Sequence, residues 1–124
     1  MKVLLVEDSK ALTDRLTDAL NQITAVNLIG TVDTEDAAVA FVGRESVDVI
    51  ILDLHLRRGT GFGVMRSLAN TRSRPKIIVL TNYDLPEYKN VALALGATHF
   101  LDKARDYGRI PELLHEIWQA HSMH

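Results

Sequence analysis

The sequence predicts an α/β fold, a three-layer α/β/α sandwich around a five-stranded parallel sheet. Three observations predict it. The run Val49-Ile50-Ile51-Leu52 is apolar and mostly β-branched with no polar alternation, as suits a strand covered on both faces. Four further short apolar runs recur along the chain, and each of the five is followed by a stretch with helical spacing. Strands alternating with helices imply parallel pairing through right-handed crossovers. The chain has 124 residues, enough for one core and too few for two, so a single domain over residues 1–124 is expected.

Each element has its own local reason. Val3 to Val6 is a buried strand that meets Glu7 and Asp8. Leu12, Leu16, Ala19, Leu20 and Ile23 then give a helix one buried stripe. Leu28 to Val32 is a weaker strand containing Gly30, and Thr34 can cap the following helix, whose apolar side is Ala38, Phe41 and Val42. The central strand ends at Asp53, where Arg57, Arg58 and Gly59 take the chain out of the sheet. Thr60 is the next expected N-cap, with Phe62, Met65, Leu68 and Ala69 facing inward. Pro75 blocks continuation, and Ile77 to Leu80 forms a fourth strand ending at Thr81.

Asp84 and Glu87 have capping-box spacing with Pro86 in the first turn, and Tyr88, Val91, Ala92 and Leu95 are the expected buried face of that helix. Gly96 suits its C′ position. Thr98 to Leu101 is a short fifth strand leading to Asp102 and Lys103. A last helix turns Ile110, Leu113, Leu114 and Ile117 inward.

Bulk properties exclude several functions. The net charge is −2 and the pI about 6.2, so no basic excess points to direct nucleic-acid contact. With no cysteine, disulfides and thiolate metal sites are excluded, and a cytoplasmic location is expected. MKVLLVED is too short an apolar run for a signal peptide or membrane span. The five histidines make no metal site: His55 and His99 are expected near the C-terminal rim of the sheet, while His115, His121 and His124 lie on or beyond the last helix. No Gly-rich nucleotide loop occurs.

In parallel α/β folds, ligands sit beyond the C-terminal ends of the strands. Four of the five predicted strands deliver polar chemistry to that rim: Glu7 and Asp8, Asp53, Thr81, and Lys103. Each has a plain structural alternative, since Asp8 can start a helix, Thr81 can cap a turn and Lys103 can be solvated. Together they form a set. Converging carboxylates repel one another without a cation, and Mg²⁺ suits such a site because it takes one or two carboxylates and completes its shell with water and phosphate oxygens. Lys103 adds a fixed positive charge and Thr81 a hydroxyl, which makes a site for phosphoryl transfer. With Asp53 as nucleophile, the product is an acyl phosphate on the protein itself.

Here the residues carry a resemblance. Glu7-Asp8 after the first strand, Asp53 after the third, Thr81 after the fourth and Phe100-Leu101-Asp102-Lys103 at the fifth resemble the receiver domain of two-component response regulators, over essentially the whole chain. The resemblance implies strand order 2-1-3-4-5. It implies Mg²⁺ held by Glu7 or Asp8, by Asp53 and by the backbone carbonyl of His55. It also implies phosphorylation of Asp53 by a histidine kinase or phosphotransfer protein, with Thr81 and Phe100 as a switch pair. Such a chain is a signalling switch rather than an enzyme acting on other substrates. Its output face would be residues 84–95, strand 98–101 and the last helix, open to a downstream protein or a second copy.

Three positions depart from the family pattern. Asn82 stands where a small residue is usual, Ala104 where proline often follows the lysine, so a trans peptide is expected there, and Tyr83 with His55 puts two rings at the mouth of the site. A Mg²⁺-dependent phosphohydrolase of the haloacid dehalogenase type shares the chemistry, but carries a second aspartate where this chain has His55. A receiver that binds partners without phosphorylation would not need the full residue set that is present.

Overall fold

The computed structural model describes residues 1–71 and 73–122, with side chains to residue 120. His124 lies outside the described residues, as does the side chain of His121. The chain runs β1 (Lys2–Val6), α1 (Lys10–Asn21), β2 (Asn27–Val32), α2 (Glu35–Arg44), β3 (Val49–Leu52), α3 (Gly61–Leu68), β4 (Lys76–Thr81), α4 (Pro86–Ala94), β5 (His99–Asp102), a single 3₁₀ turn (Tyr107–Arg109) and α5 (Ile110–Ser122). All neighbouring strands are parallel and their order is β2-β1-β3-β4-β5.

The unbroken apolar runs resolve into two faces of period two. Leu4, Val6, Ile50, Leu52, Ile77 and Val79 point to one side, where Ala38 of α2, Val64, Met65 and Leu68 of α3 and Ala92 of α4 cover them. Val3, Leu5, Val49, Ile51, Ile78, Leu80 and Leu101 point to the other, under Leu16 and Leu20 of α1 and Leu113 and Leu114 of α5. Every residue of β3 is fully buried. The strand therefore cannot shift without moving both layers, which fixes Asp53 at its exit.

The N-caps follow local chemistry. Thr34 and Thr60 each accept a backbone N–H three residues on, from Ala37 and Gly63. Ser9 does the same for α1 by accepting from Leu12, so Asp8 is not spent on capping. Gly96 follows the last turn of α4 with φ +101°, as a C′ glycine should.

Four expectations are corrected. His99, expected near the rim, begins β5 and so lies at the opposite end of that strand from Asp102. Asp84 does not cap α4: the N-cap position belongs to Leu85, which makes no side-chain bond, and the Asp84 carboxylate instead accepts from Arg105 at 3.1 Å. Pro86 lacks one of the N–H groups that a cap would satisfy, so the loss is small. The buried face of α4 is also narrower than expected. Ala92 alone is fully buried there, Tyr88 and Leu95 are half-buried, and Val91 is 40% exposed. On α3, Val64 is buried where Ala69 was expected to be, because the helix ends at Leu68 and leaves Ala69 exposed.

Gly61 sets the closest approach of α3 to the sheet. A Cβ there would collide with the carbonyl oxygen of Asp53 and the Cα of Leu54. Neither neighbour is a flexible side chain that could swing away. Gly61→Ala is expected to destabilise the protein by about 1–3 kcal/mol, the usual cost of overpacking, read by urea unfolding. Wild-type stability in that variant would mean that α3 slides freely.

Candidate functional site at the C-terminal rim of the sheet

The site collects from strand ends that the core holds rigidly. β1 delivers Glu7, whose backbone N–H donates to the Val32 carbonyl, and β3 delivers Asp53, whose N–H donates to the Val6 carbonyl. Both side chains are buried, with Glu7 5% and Asp53 3% exposed. Asp8 points into solvent beside them. Carboxylate oxygens of Glu7, Asp8 and Asp53 lie within 4.8 Å of one another.

Lys103 spans the two buried acids. Its Nζ donates to Oε1 of Glu7 at 2.6 Å and to Oδ2 of Asp53 at 2.9 Å. Its position is set by its own backbone N–H, which donates to the Thr81 carbonyl at the end of β4. One ammonium thus faces two carboxylates, with a third nearby. Burial pushes the Glu7 carboxyl up to about 7, assisted by the negative charge of Asp53 and opposed by the bond from Lys103. For Lys103 burial works downward, but the bonds to Glu7 and Asp53 outweigh it and leave the ammonium more basic than usual. The site holds more negative charge than Lys103 alone can balance.

This donor set fits a hard divalent cation. All its contributions are oxygens, and Asp8 and Asp53 present carboxylate oxygens on the same few ångströms of rim as Glu7. Asp53 Oδ1 accepts only a long bond, 3.3 Å, from the His55 N–H.

Thr81 ends β4 fully buried, and its Oγ1 accepts from the Tyr83 N–H at 3.0 Å. Phe100 pairs in register with Val79 on β4 and is half-buried against the core cluster that includes Ala92 and Tyr88. Thr81 and Phe100 therefore sit on adjacent strands. Among the described residues no peptide bond is cis, in keeping with the expected trans bond before Ala104. In place of a proline, Asp102 accepts from the N–H groups of Ala104 and Arg105, and Asp106 accepts from the N–H of Asp102.

Sequence reading missed how tightly the β3–α3 loop is tied to its neighbours. Arg57 pairs with Asp33 at 2.9 Å, the Glu35 N–H donates to the Arg58 carbonyl, and Glu35 Oε1 accepts from the Thr60 N–H. Gly59 and Gly63 leave room for that Glu35 side chain, so the closely spaced glycines from Gly59 to Gly63 were the available signal. Sequence reading also missed that the two rings at the mouth touch. His55 and Tyr83 stack with centroids 4.2 Å apart and planes 24° from parallel.

Comparison with known proteins bears on the family and the fold. The family model described as the response regulator receiver domain matches residues 3–115. Sensory transduction protein LytT of Bacillus anthracis is 29% identical over 114 residues, which cover 92% of this chain and 46% of LytT. Photosynthetic apparatus regulatory protein RegA of Rhodobacter capsulatus is 31% identical over 112 residues, 90% of this chain and 60% of RegA. The crystal structure of the response regulatory domain of protein mrkE from Klebsiella pneumoniae superposes with a TM-score of 0.89 at 23% identity, covering all of both chains. That last likeness shows the fold. The chain spans about half the length of the two relatives.

The fold and the family match are consistent with a module of phosphorylation-controlled signalling. The chain belongs to the receiver domains of two-component response regulators. Among the described residues, no helix is long and apolar enough to cross a membrane.

Proposed function

We propose that residues 1–124 form one receiver domain that takes a phosphoryl group onto Asp53 from a histidine kinase or a histidine phosphotransfer protein in the cytoplasm. The observation that carries this reading is Lys103, whose one ammonium binds both Glu7 and Asp53 beside Asp8. An oxygen of the Asp53 carboxylate forms the new P–O bond as the P–N bond of the donor breaks, and the donor nitrogen keeps the electron pair and regains a proton. Mg²⁺, held by Glu7 or Asp8, by Asp53 and by the His55 carbonyl, would neutralise the phosphoryl oxygens. Lys103 supplies fixed positive charge at the attacked group. The chain needs no substrate beyond its phosphodonor and its own phosphoaspartate.

The test is direct. Wild-type protein is incubated with acetyl phosphate and Mg²⁺, the acyl phosphate is trapped, and peptides are mapped by mass spectrometry. Label on Asp53 is the expected result, and label on any other residue overturns the assignment. Turnover of a generic aryl phosphate would instead favour a phosphohydrolase.

The output runs through Thr81 and Phe100. A phosphoryl group on Asp53 brings about −2 charge and new acceptor oxygens. The Thr81 hydroxyl moves toward it and vacates space behind β4, which the Phe100 ring on β5 fills. Contacts made in one state only bias the equilibrium. The responding face is residues 84–95, β5 and α5. Leu85 and Leu93 on it are already exposed, at 48% and 44%, and it offers a surface for a downstream protein or a second copy. Thr81→Ala protein is expected to take label at Asp53 while losing most of the response of that face to phosphorylation, measured by backbone amide shifts. A full response in Thr81→Ala would remove the hydroxyl from the pathway.

A further inference from the structure

The sequence places two rings at the mouth of the site, and the structure makes them one object. The His55 ring, on the β3–α3 loop, stacks on the Tyr83 ring, on the β4–α4 loop, at 4.2 Å. Each ring is anchored through its own backbone to a functional side chain. The His55 N–H donates to Asp53 Oδ1, and the Tyr83 N–H donates to Thr81 Oγ1. Behind the stack, Tyr83 meets Tyr88 of α4 edge-on at 5.9 Å, and Tyr88 meets Phe62 of α3 at 5.9 Å. The β4–α4 loop has a second tie, the exposed Asp84–Arg105 pair, of a kind that contributes little.

We propose that the stacked His55 and Tyr83 rings are a clamp that holds the β4–α4 loop, and with it the Thr81 hydroxyl, in the resting position. The proposal rests on the phosphorylation of Asp53 argued above. Its logic is geometric. The Thr81 hydroxyl in the resting state is held as an acceptor by the Tyr83 N–H. The hydroxyl keeps its own hydrogen for a new acceptor, so as it moves toward Asp53 with that bond intact the loop follows. Dispersion between stacked rings decays within about an ångström of separation, so the same movement takes Tyr83 off His55. The stack is therefore a contact of the resting state, and its strength subtracts from whatever the phosphoryl group supplies. His55 and Tyr83 act as positioning residues, through Asp53 and Thr81.

The experiment compares wild type with Tyr83→Ala, His55→Ala, the double variant and Tyr83→Phe by backbone amide NMR. The reference is the wild-type shift on adding beryllofluoride and Mg²⁺. His55→Ala keeps the backbone carbonyl and N–H. In ligand-free Tyr83→Ala, the Thr81 and Phe100 signals are expected part-way along the wild-type path toward the beryllofluoride-bound position. Apparent beryllofluoride affinity should rise about two- to tenfold, the ordinary worth of one aromatic pair. The double variant should gain no more than either single one, because removing one ring already removes the contact. Tyr83→Phe keeps the stack and should behave as wild type, which a role for the phenol hydroxyl would not allow. Wild-type signal positions and affinity in Tyr83→Ala, or fully additive single effects, overturn the clamp. Absence of any beryllofluoride response at the rim of wild-type protein is a different failure, of the phosphorylation reading itself, and takes the clamp with it.

Discussion

Asp53→Asn protein takes no phosphoryl label from acetyl phosphate and Mg²⁺ above the background of unreacted chain, and it remains folded. The loss is complete because an amide is no nucleophile toward phosphorus under these conditions, and no other described carboxylate is so placed. Glu7 is buried, is held by Lys103 at 2.6 Å, and its carboxyl titrates near 7. Asp8 is exposed to water, and the two ion pairs of Lys103 in this cluster go to Glu7 and Asp53. The fold survives because asparagine is nearly isosteric, and its one oxygen can accept the bond from Lys103 while its NH2 takes the place of Oδ1, at the loss of only the long bond from the His55 N–H. Intact-mass spectrometry reads the label and circular dichroism the fold. Persistent label in folded Asp53→Asn protein would transfer the chemistry to another side chain. Asp8→Ala is a milder companion. Removing a carboxylate proposed to hold the ion should weaken Mg²⁺ binding at least as much as loss of an outer-shell partner does, about tenfold or more, by calorimetric titration.

The largest stability effect belongs to Lys103→Met in metal-free protein. It leaves two buried carboxylates without their shared cation, and breaking a buried pair in that way costs roughly 3–5 kcal/mol. The cost depends on pH, with a sign that Glu7 determines. Burial raises the Glu7 pKa to about 7 from the ordinary 4.5, so the folded protein holds that proton more tightly than the unfolded chain does. The resulting stability is fully present below pH 4.5 and is lost as pH rises through 7, by on the order of 3 kcal/mol. Below that window Glu7 is neutral and has less need of Lys103. Urea unfolding with chelator should therefore show a Lys103→Met penalty that is largest near pH 8 and smaller near pH 5. A penalty independent of pH would mean that Glu7 stays ionised throughout.

The features legible in the sequence were those that short-range chemistry decides. A strand buried on both faces must be apolar at every position, so Val49 to Leu52 announced both the strand and its central place. Strand exits are where polar residues become affordable, which made Glu7, Asp8, Asp53, Thr81 and Lys103 visible as a set. The Thr34 and Thr60 caps and Gly96 were legible because each bond or backbone angle concerns only a few neighbours. The α4 face was not legible. Val91, Ala92, Leu93, Ala94 and Leu95 are apolar in succession, so periodicity could not pick the side that the sheet would cover.

Asp84 was misassigned for a related reason. Its spacing to Glu87 suits a capping box, but its partner is Arg105, 21 residues away, and no local pattern reveals such a pairing. The same holds for the functional contacts. Lys103 meets Asp53 across 50 residues and Glu7 across 96, and His55 meets Tyr83 across two loops. The composition of the site could be read from strand ends, whereas the ammonium shared by two acids and the ring stack needed the fold.

On the function proposed above, a phosphoryl group at Asp53 changes a distant face through Thr81 and Phe100. The measurement that tests it most directly is the backbone amide spectrum of wild-type protein with and without beryllofluoride and Mg²⁺. Large shifts are expected at Asp53, Thr81 and Lys103, together with connected shifts through Phe100, residues 84–95 and α5. Shifts confined to Asp53 and its immediate neighbours would contradict the Thr81–Phe100 pathway even if the phosphorylation chemistry stood.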